Sequence, residues 1–157
     1  MVRNSPKREG LEFIQEMSNT YRYTLTSKQQ DLVTLKEEME FLDAYTYLLK
    51  KRFGDNLVFD IQIPGDAGEM KIPPMAVQTL VENGIQHNII TKETPLKFKI
   101  YVENEMVCVE NNLYKKENSE GFGSGLKNLA NRFELIAGKS IDIEQNDSHF
   151  RVKLPLI

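Results

Sequence analysis

The stretch SEGFGSGLKNLANRF, residues 119–133, decides how this chain is read. Gly121, Gly123 and Gly125 alternate, and helical spacing of apolar residues begins directly behind them. Bare backbone at the mouth of a helix suits an anion. Glycine N–H groups can face it, and the positive end of the helix dipole adds to the attraction. Ser124 stands where it could cap that helix. The run is not a P-loop, which needs Gly-Lys-Ser/Thr. Nor is it a dinucleotide fingerprint, which needs Gly-x-Gly-x-x-Gly after a strand. A glycine-rich loop with no ligand would carry the same letters, so a phosphate site needs further groups elsewhere in the chain.

Two such groups lie upstream. In TLVENGIQHN, Asn83 and His87 are four apart and share a helix face, while Glu82 is rotated away by about 100°. The Asn83 amide oxygen suits Mg²⁺, a hard cation that takes oxygen ligands and keeps several waters. An exposed polar helix face is the plain alternative, and no third ligand follows to make a zinc site. In VCVENN, alternation turns Val107 and Val109 inward, so Asn111 should face inward at the strand's end. A polar side chain there needs a partner, and an adenine amino group would be one. The alternative is that Asn111 and Asn112 only shape the following turn.

The rest of the pattern is a mixture of helices and strands. Residues 11–25 carry Phe13, Ile14, Met17, Tyr21 and Leu25 at helical spacing, and polar residues 26–31 interrupt it. Thr34 and Glu37 form a capping box that opens a helix running to Gly54, with Leu35, Met39, Leu42, Tyr45, Leu49 and Phe53 as its apolar stripe. Leu57, Phe59, Ile61 and Ile63 alternate as a strand. Pro73 and Pro74 suit the first turn of the next helix. LKFKIYV and MVCVEN form a hairpin, LYKKENSE (113–120) is a polar loop, and Gly138 closes the last helix before SIDIEQ and HFRVKLPLI make a second hairpin. Five strands with helices on one face predict an α+β fold: a two-layer sandwich on a mixed, mostly antiparallel sheet, preceded by a helical segment. The opposite sheet face should be the more polar one.

Composition limits the function classes. A net charge of −3 with no basic block argues against nucleic acid as a partner. One cysteine, Cys108, excludes an internal disulfide and a multi-cysteine metal cluster. No apolar run approaches the ~20 residues of a membrane span, and MVRNSPKREG does not read as a signal peptide.

An asparagine-bearing helix, a strand with an amide at its tip, a polar loop and Gly-x-Gly-x-Gly-Leu opening a helix resemble the Bergerat-type ATP-binding fold shared by gyrase, heat-shock protein 90, histidine kinases and MutL. The finer resemblance is to the catalytic domain of LytS-like sensor histidine kinases. It rests on TLKEEMEFLDAYTYLLKKRFGDNL, IPPMAVQTLVENGIQHNI and GSGLKNLANRFELIAG, with SNTYRYTL similar to the end of that family's dimerisation helices. It implies two parts: residues 1–33 as the end of a dimerisation helix and linker, and 34–157 as the ATP-binding catalytic domain. It further implies ATP and Mg²⁺ as cofactors, with Asn83 on the metal and Glu82 and His87 on the same nucleotide-side helix. Asn111 would face adenine, Gly121, Gly123, Gly125 and Leu126 would line the phosphates, and residues 113–120 would be the ATP lid. Lys115 and Lys116 would lie in that lid, near the phosphates or simply solvated. The implied partners are dimerisation helices of the same full-length chain, in a homodimer, and a response regulator of the LytTR type. The implied setting is a cytoplasmic piece of a protein anchored in the bacterial inner membrane.

Three departures from the pattern matter. The Asp-x-Gly-x-Gly adenine box reads Asn111-Asn112-Leu113-Tyr114-Lys115, so a neutral amide replaces the carboxylate and both glycines are gone. A neutral acceptor makes about half as strong a contact as an ionised one, so weaker ATP binding is expected. Thr79 stands where ATP-hydrolysing relatives carry a water-activating glutamate, which favours phosphoryl transfer over hydrolysis. The histidines, His87 and His149, both fall in the catalytic zone, so the chain is expected to be a C-terminal fragment lacking its phosphoacceptor. A pseudokinase that signals through helix pairing, and a serine kinase of the anti-sigma type, remain as alternatives. The 34–53 block and Gly-Leu-Lys-Asn favour the LytS-like branch over the serine kinase.

Overall fold

The computed structural model describes Gln15, Met17, residues 31–117 and residues 124–157. Gln15 and Met17 are helical, and Met17 is half exposed. The rest of the helix predicted over 11–25 lies outside the described residues.

The helix predicted from Thr34 forms as α1, Leu35–Phe53. Its capping box closes in both directions: the Glu37 N–H donates to Thr34 Oγ1 at 3.1 Å, and the Thr34 N–H donates to Glu37 Oε2 at 2.9 Å. Gly54 ends it at φ 59°, although its ψ of −137° takes the chain straight into a turn rather than through a left-handed helical residue. Two further helices follow, α2 (Ala76–His87) and α3 (Ser124–Ala137), the latter closed by Gly138 at φ 63°.

The strands are β1 (Val33–Thr34), β2 (Leu57–Gln62), β3 (Lys71–Ile72), β4 (Leu96–Glu103), β5 (Met106–Asn112), β6 (Asp142–Gln145) and β7 (His149–Pro155). Five build the main sheet in the order β2-β4-β5-β7-β6, with β2 and β4 parallel and every other pair antiparallel. The fold is therefore the mixed, mostly antiparallel α+β sandwich the sequence predicts. The hairpin turn between β4 and β5 places Asn104 and Glu105 at φ 51° and 60°. That two-residue turn matches the right-handed twist of the strands it joins. The small β1–β3 pair is not foreshadowed in the sequence, because two residues carry no periodicity.

Val77, Leu80 and Val81 of α2, Leu126, Leu129 and Phe133 of α3, and Leu35 and Leu42 of α1 share one core with Phe98, Ile100, Val107, Val109, Val152 and Leu154 of the sheet. Each sheet residue there sits on the inward side of a period-2 strand. The opposite face is polar, as expected. Arg151 pairs with Glu144 at 2.8 Å and donates to the Tyr101 hydroxyl at 3.3 Å, and Lys153 reaches Glu144 at 3.3 Å.

Pro73 and Pro74 do not occupy the first turn of α2. They precede it, and the helix starts at Ala76 behind Met75, whose φ of 64° is left-handed. The cause is remote in sequence. The carboxylate of Glu38, on α1 and fully buried, accepts from the Met75 N–H at 3.0 Å and from the Val77 N–H at 3.3 Å. A side chain from one helix thus caps another, satisfying N–H groups that a helix start leaves open.

Candidate nucleotide site

α2 is the element around which the predicted site residues gather. It packs on β5 at Gly84. A Cβ placed on Gly84 would stand 2.6 Å from Phe98 Cζ and 3.4 Å from Asn111 Oδ1. Phe98 and Asn111 are cross-strand partners on β4 and β5, so Gly84 rests over both. Asn111 is only 3% exposed and faces inward behind Val107 and Val109, as alternation predicts. Its Nδ2 donates to the Asn112 carbonyl at 2.9 Å. No hydrogen bond among the described residues reaches its Oδ1, which is left as an acceptor at the sheet's lip.

The other flank of α2 meets the opening of α3. A Cβ on Gly125 would lie 3.8 Å from Thr79 Cγ2. Thr79, Asn83 and His87 follow one another at intervals of four and form one stripe. Asn83 is half-buried within it. The Thr79 hydroxyl donates to the Met75 carbonyl at 2.7 Å, so it completes the first turn of its own helix. At the far end of the stripe, the His87 carbonyl accepts from the Lys116 N–H at 3.2 Å. Asn83, Asn111 and Gly125 are thus all brought to one helix. Gly121 and Gly123 lie outside the described residues, as does the side chain of Ser124.

Two predicted site residues are placed differently from the rest. Glu82 accepts from Gln78 Nε2 at 2.9 Å and lines a groove of about 610 Å³ with Tyr45, Leu49, Arg52 and Lys116. That groove lies on the α1 side of α2. Leu126 is buried in the core, where it seats α3 on the sheet.

The structure also separates the two asparagines at the end of β5. Asn112 is structural: its Oδ1 accepts from the Lys97 N–H at 2.7 Å and its Nδ2 donates to the Pro95 carbonyl at 2.9 Å, pinning the start of β4. Asn111 makes no such cross-strand side-chain bond. Nor is the predicted loop 113–120 loose at its start. Asn88 and Lys115 form an antiparallel bridge, and the Ile89 N–H donates to the Tyr114 carbonyl at 2.8 Å. Sequence reading passed over Gly84, Asn88 and Glu38. A glycine inside a helical pattern was the one available signal, since such a residue usually has a packing reason.

Among the described residues no three His, Cys, Asp or Glu side chains converge to hold a metal. One amide at Asn83 fits a magnesium ion that a triphosphate brings with it, since Mg²⁺ is commonly held by one or two protein ligands plus phosphates.

The fold is that of solved histidine kinase catalytic domains. The catalytic domain of the histidine kinase ThkA, in a nucleotide-free form, superposes with a TM-score of 0.53 at 17% identity, covering 80% of this chain and 98% of that one. The Acinetobacter baumannii histidine kinase AdeS gives 0.50 at 15% identity over 93% of this chain and 80% of its own. In sequence, the chain is 30% identical to the sensor histidine kinase BtsS of Escherichia coli K12 over 94% of its length. It is 31% identical to the sensor protein LytS of Streptococcus agalactiae over 80% of its length. A family model described as histidine kinase matches residues 1–57. The resemblance to LytS-like sensor histidine kinases therefore holds across most of the chain. The chain spans 28% of BtsS and 24% of LytS. Among the described residues no helix is long and apolar enough to cross a membrane.

Proposed function

We propose that this chain is the ATP-binding catalytic module of a two-component sensor histidine kinase. It passes the γ-phosphoryl group of ATP to a histidine on a dimerisation helix of its own full-length protein. The observation that carries this reading is the convergence on α2: Gly84 against Asn111, and Thr79 against Gly125.

In this reading Asn111 Oδ1 accepts a hydrogen bond from the adenine amino group. The peptide N–H groups at the opening of α3, with Gly121, Gly123 and Gly125, hold the phosphates. Asn83 supplies an amide oxygen to Mg²⁺, whose charge offsets that of the triphosphate. His87 lies one turn further along the same stripe. Phosphoryl transfer demands mainly positioning and charge neutralisation. Thr79 supports transfer over hydrolysis, because its hydroxyl is engaged with Met75 and it offers no carboxylate to activate water. Glu82 is bound to Gln78 within α2 and lines the groove beside Tyr45, so in this reading it shapes the α1 side of α2 and does not touch the phosphates. The phosphohistidine would then serve a response regulator of the LytTR type, from a membrane-anchored homodimer.

The test is a titration with ATP and Mg²⁺ followed by melting temperature. At 100 times the dissociation constant, binding stabilises by about 2.7 kcal/mol. Asn83→Ala should keep the fold and abolish transfer to a supplied histidine-bearing helix; undiminished transfer removes Asn83 from the mechanism. One observation favours a second reading, a pseudokinase. Leu113 and Lys115 stand where the box has its glycines, and Tyr114 between them is tied to the end of α2 by its own N–H and carbonyl. An unchanged melting temperature at millimolar ATP would select it.

A further inference from the structure

Asn88 is a buried, doubly bonded polar side chain near the site, and the mechanism above makes no use of it. It ends α2 in an extended conformation, φ −120° and ψ 150°, and is 2% exposed. In a continuing helix the residue 88 N–H would serve the Gly84 carbonyl. Here the Asn88 side chain does so, with Nδ2 donating at 2.8 Å. Its Oδ1 turns the other way and accepts from the Tyr114 N–H at 2.8 Å. Around that amide lie the Ile89–Tyr114 and Lys116–His87 backbone bonds and the Asn88–Lys115 bridge. One buried amide thus joins Gly84, which rests on Asn111, to the chain that leaves β5 just beyond Asn111.

We propose that Asn88 is a positioning residue for base recognition: it fixes the Asn111 end of β5 relative to the helix carrying Asn83, so that the adenine and phosphate contacts keep one spacing. This rests on the nucleotide reading given above. Both of its polar atoms act on the adenine side: one bonds the carbonyl of the glycine that touches Asn111, the other the peptide three residues after Asn111. Neither reaches Thr79 or Gly125, which flank the phosphate side. Loosening the clamp therefore weakens recognition of the base and leaves phosphate binding nearly unchanged. A residue that only stabilised the fold would weaken both alike.

The experiment compares ATP with inorganic tripolyphosphate, each with Mg²⁺, on the wild type, Asn88→Ala and Asn88→Asp. It also follows amide hydrogen exchange at Tyr114 and Ile89. Asn88→Ala leaves the Tyr114 N–H without its buried acceptor; ATP affinity falls by the part of that loss that nucleotide binding must make good by re-ordering the segment, up to about tenfold. The expected result is ATP binding weaker by up to about tenfold, tripolyphosphate binding within about twofold, and faster exchange at Tyr114. Asn88→Asp keeps the acceptor for Tyr114 and loses the donor to Gly84, so it should retain more of the ATP preference than Asn88→Ala. An equal fall for both ligands, or an unchanged ATP affinity despite faster exchange at Tyr114, overturns the proposal. Should Asn88→Ala fail to fold, Asn88→Asp with exchange and both titrations decides it on the same criteria. Wild-type protein that binds neither ligand would remove the nucleotide reading itself, and this inference with it.

Discussion

Replacing Gly84 with alanine sets two effects of opposite sign against each other. Alanine in a helix interior is favoured over glycine by about 1 kcal/mol. The new methyl, however, would stand 2.6 Å from Phe98 Cζ and 2.8 Å from Cε1. That is roughly 1 Å inside optimal carbon contact. Phe98 has little room to yield: it is 1% exposed and stacks on Phe59 with ring centroids 5.2 Å apart and planes 8° from parallel. Overpacking of a close-packed core costs about 1–3 kcal/mol, and a clash with two atoms of a boxed ring belongs toward the upper part of that range. The net expectation is a loss of about 1–2 kcal/mol, or about 2–8 °C in melting temperature for a domain of this size. Calorimetry on Gly84→Ala reads the sum, and Phe98→Leu isolates the clash. Leucine removes the ring atoms that the methyl meets, so the double variant should be more stable than the two single losses predict, by about 1 kcal/mol. A Gly84→Ala protein that melts at or above the wild type would refute the reasoning, because helix propensity would then outweigh contact with Phe98.

Glu38→Gln keeps the shape of the buried cap but turns an NH₂ toward a helix N–H, and should cost about 2–3 kcal/mol in chemical denaturation; an unchanged midpoint would show that Met75 and Val77 do not depend on it. Tyr45 tests the contact between α1 and α2 through pH. Burial, and then the Glu82 carboxylate, push its phenol above the ordinary 10.0, against a hydrogen bond with Gln78 that lowers it. A folded-state value above the unfolded one favours the protonated form, so this contribution is full below the ordinary value and is lost as pH rises through the folded one. Tyr45→Phe should therefore flatten the alkaline fall in denaturation midpoint. The part due to Cys108, whose thiol burial and then Glu103 push above 9.0, should remain.

What was legible in the sequence is what neighbours along a chain can encode. Alternation in LVFDIQ, LKFKIYV and MVCVEN marked strands, and it also turned Asn111 inward. Thr34 with Glu37 marked a helix start, and Gly138 marked a helix end. The order of an amide helix, an amide-tipped strand and a glycine-led helix carried the resemblance that the comparisons bear out. Composition alone could not separate Asn111 from Asn112, since both suit a turn. Register did so, by placing Asn111 opposite Phe98 on the buried face and leaving Asn112 to bond Pro95 and Lys97.

Only the tertiary structure decided Glu38, Gly84 and Asn88. Glu38 sits beside exposed charges on α1 and differs from Glu37 by one position; its role appears only when α2 arrives 37 residues later in the chain. The start of α2 moved past Pro73 and Pro74 for the same reason, because its cap comes from another helix. Gly84 is a weak helix residue until Phe98 lies beneath it, and Asn88 is an ordinary helix end until Tyr114 returns beside it. Periodicity and a helix's own capping box are local and cost the chain only its own conformational freedom. A buried carboxylate, a missing side chain and a doubly bonded amide gain their value from partners that are distant in sequence, and only packing brings those partners within bonding distance.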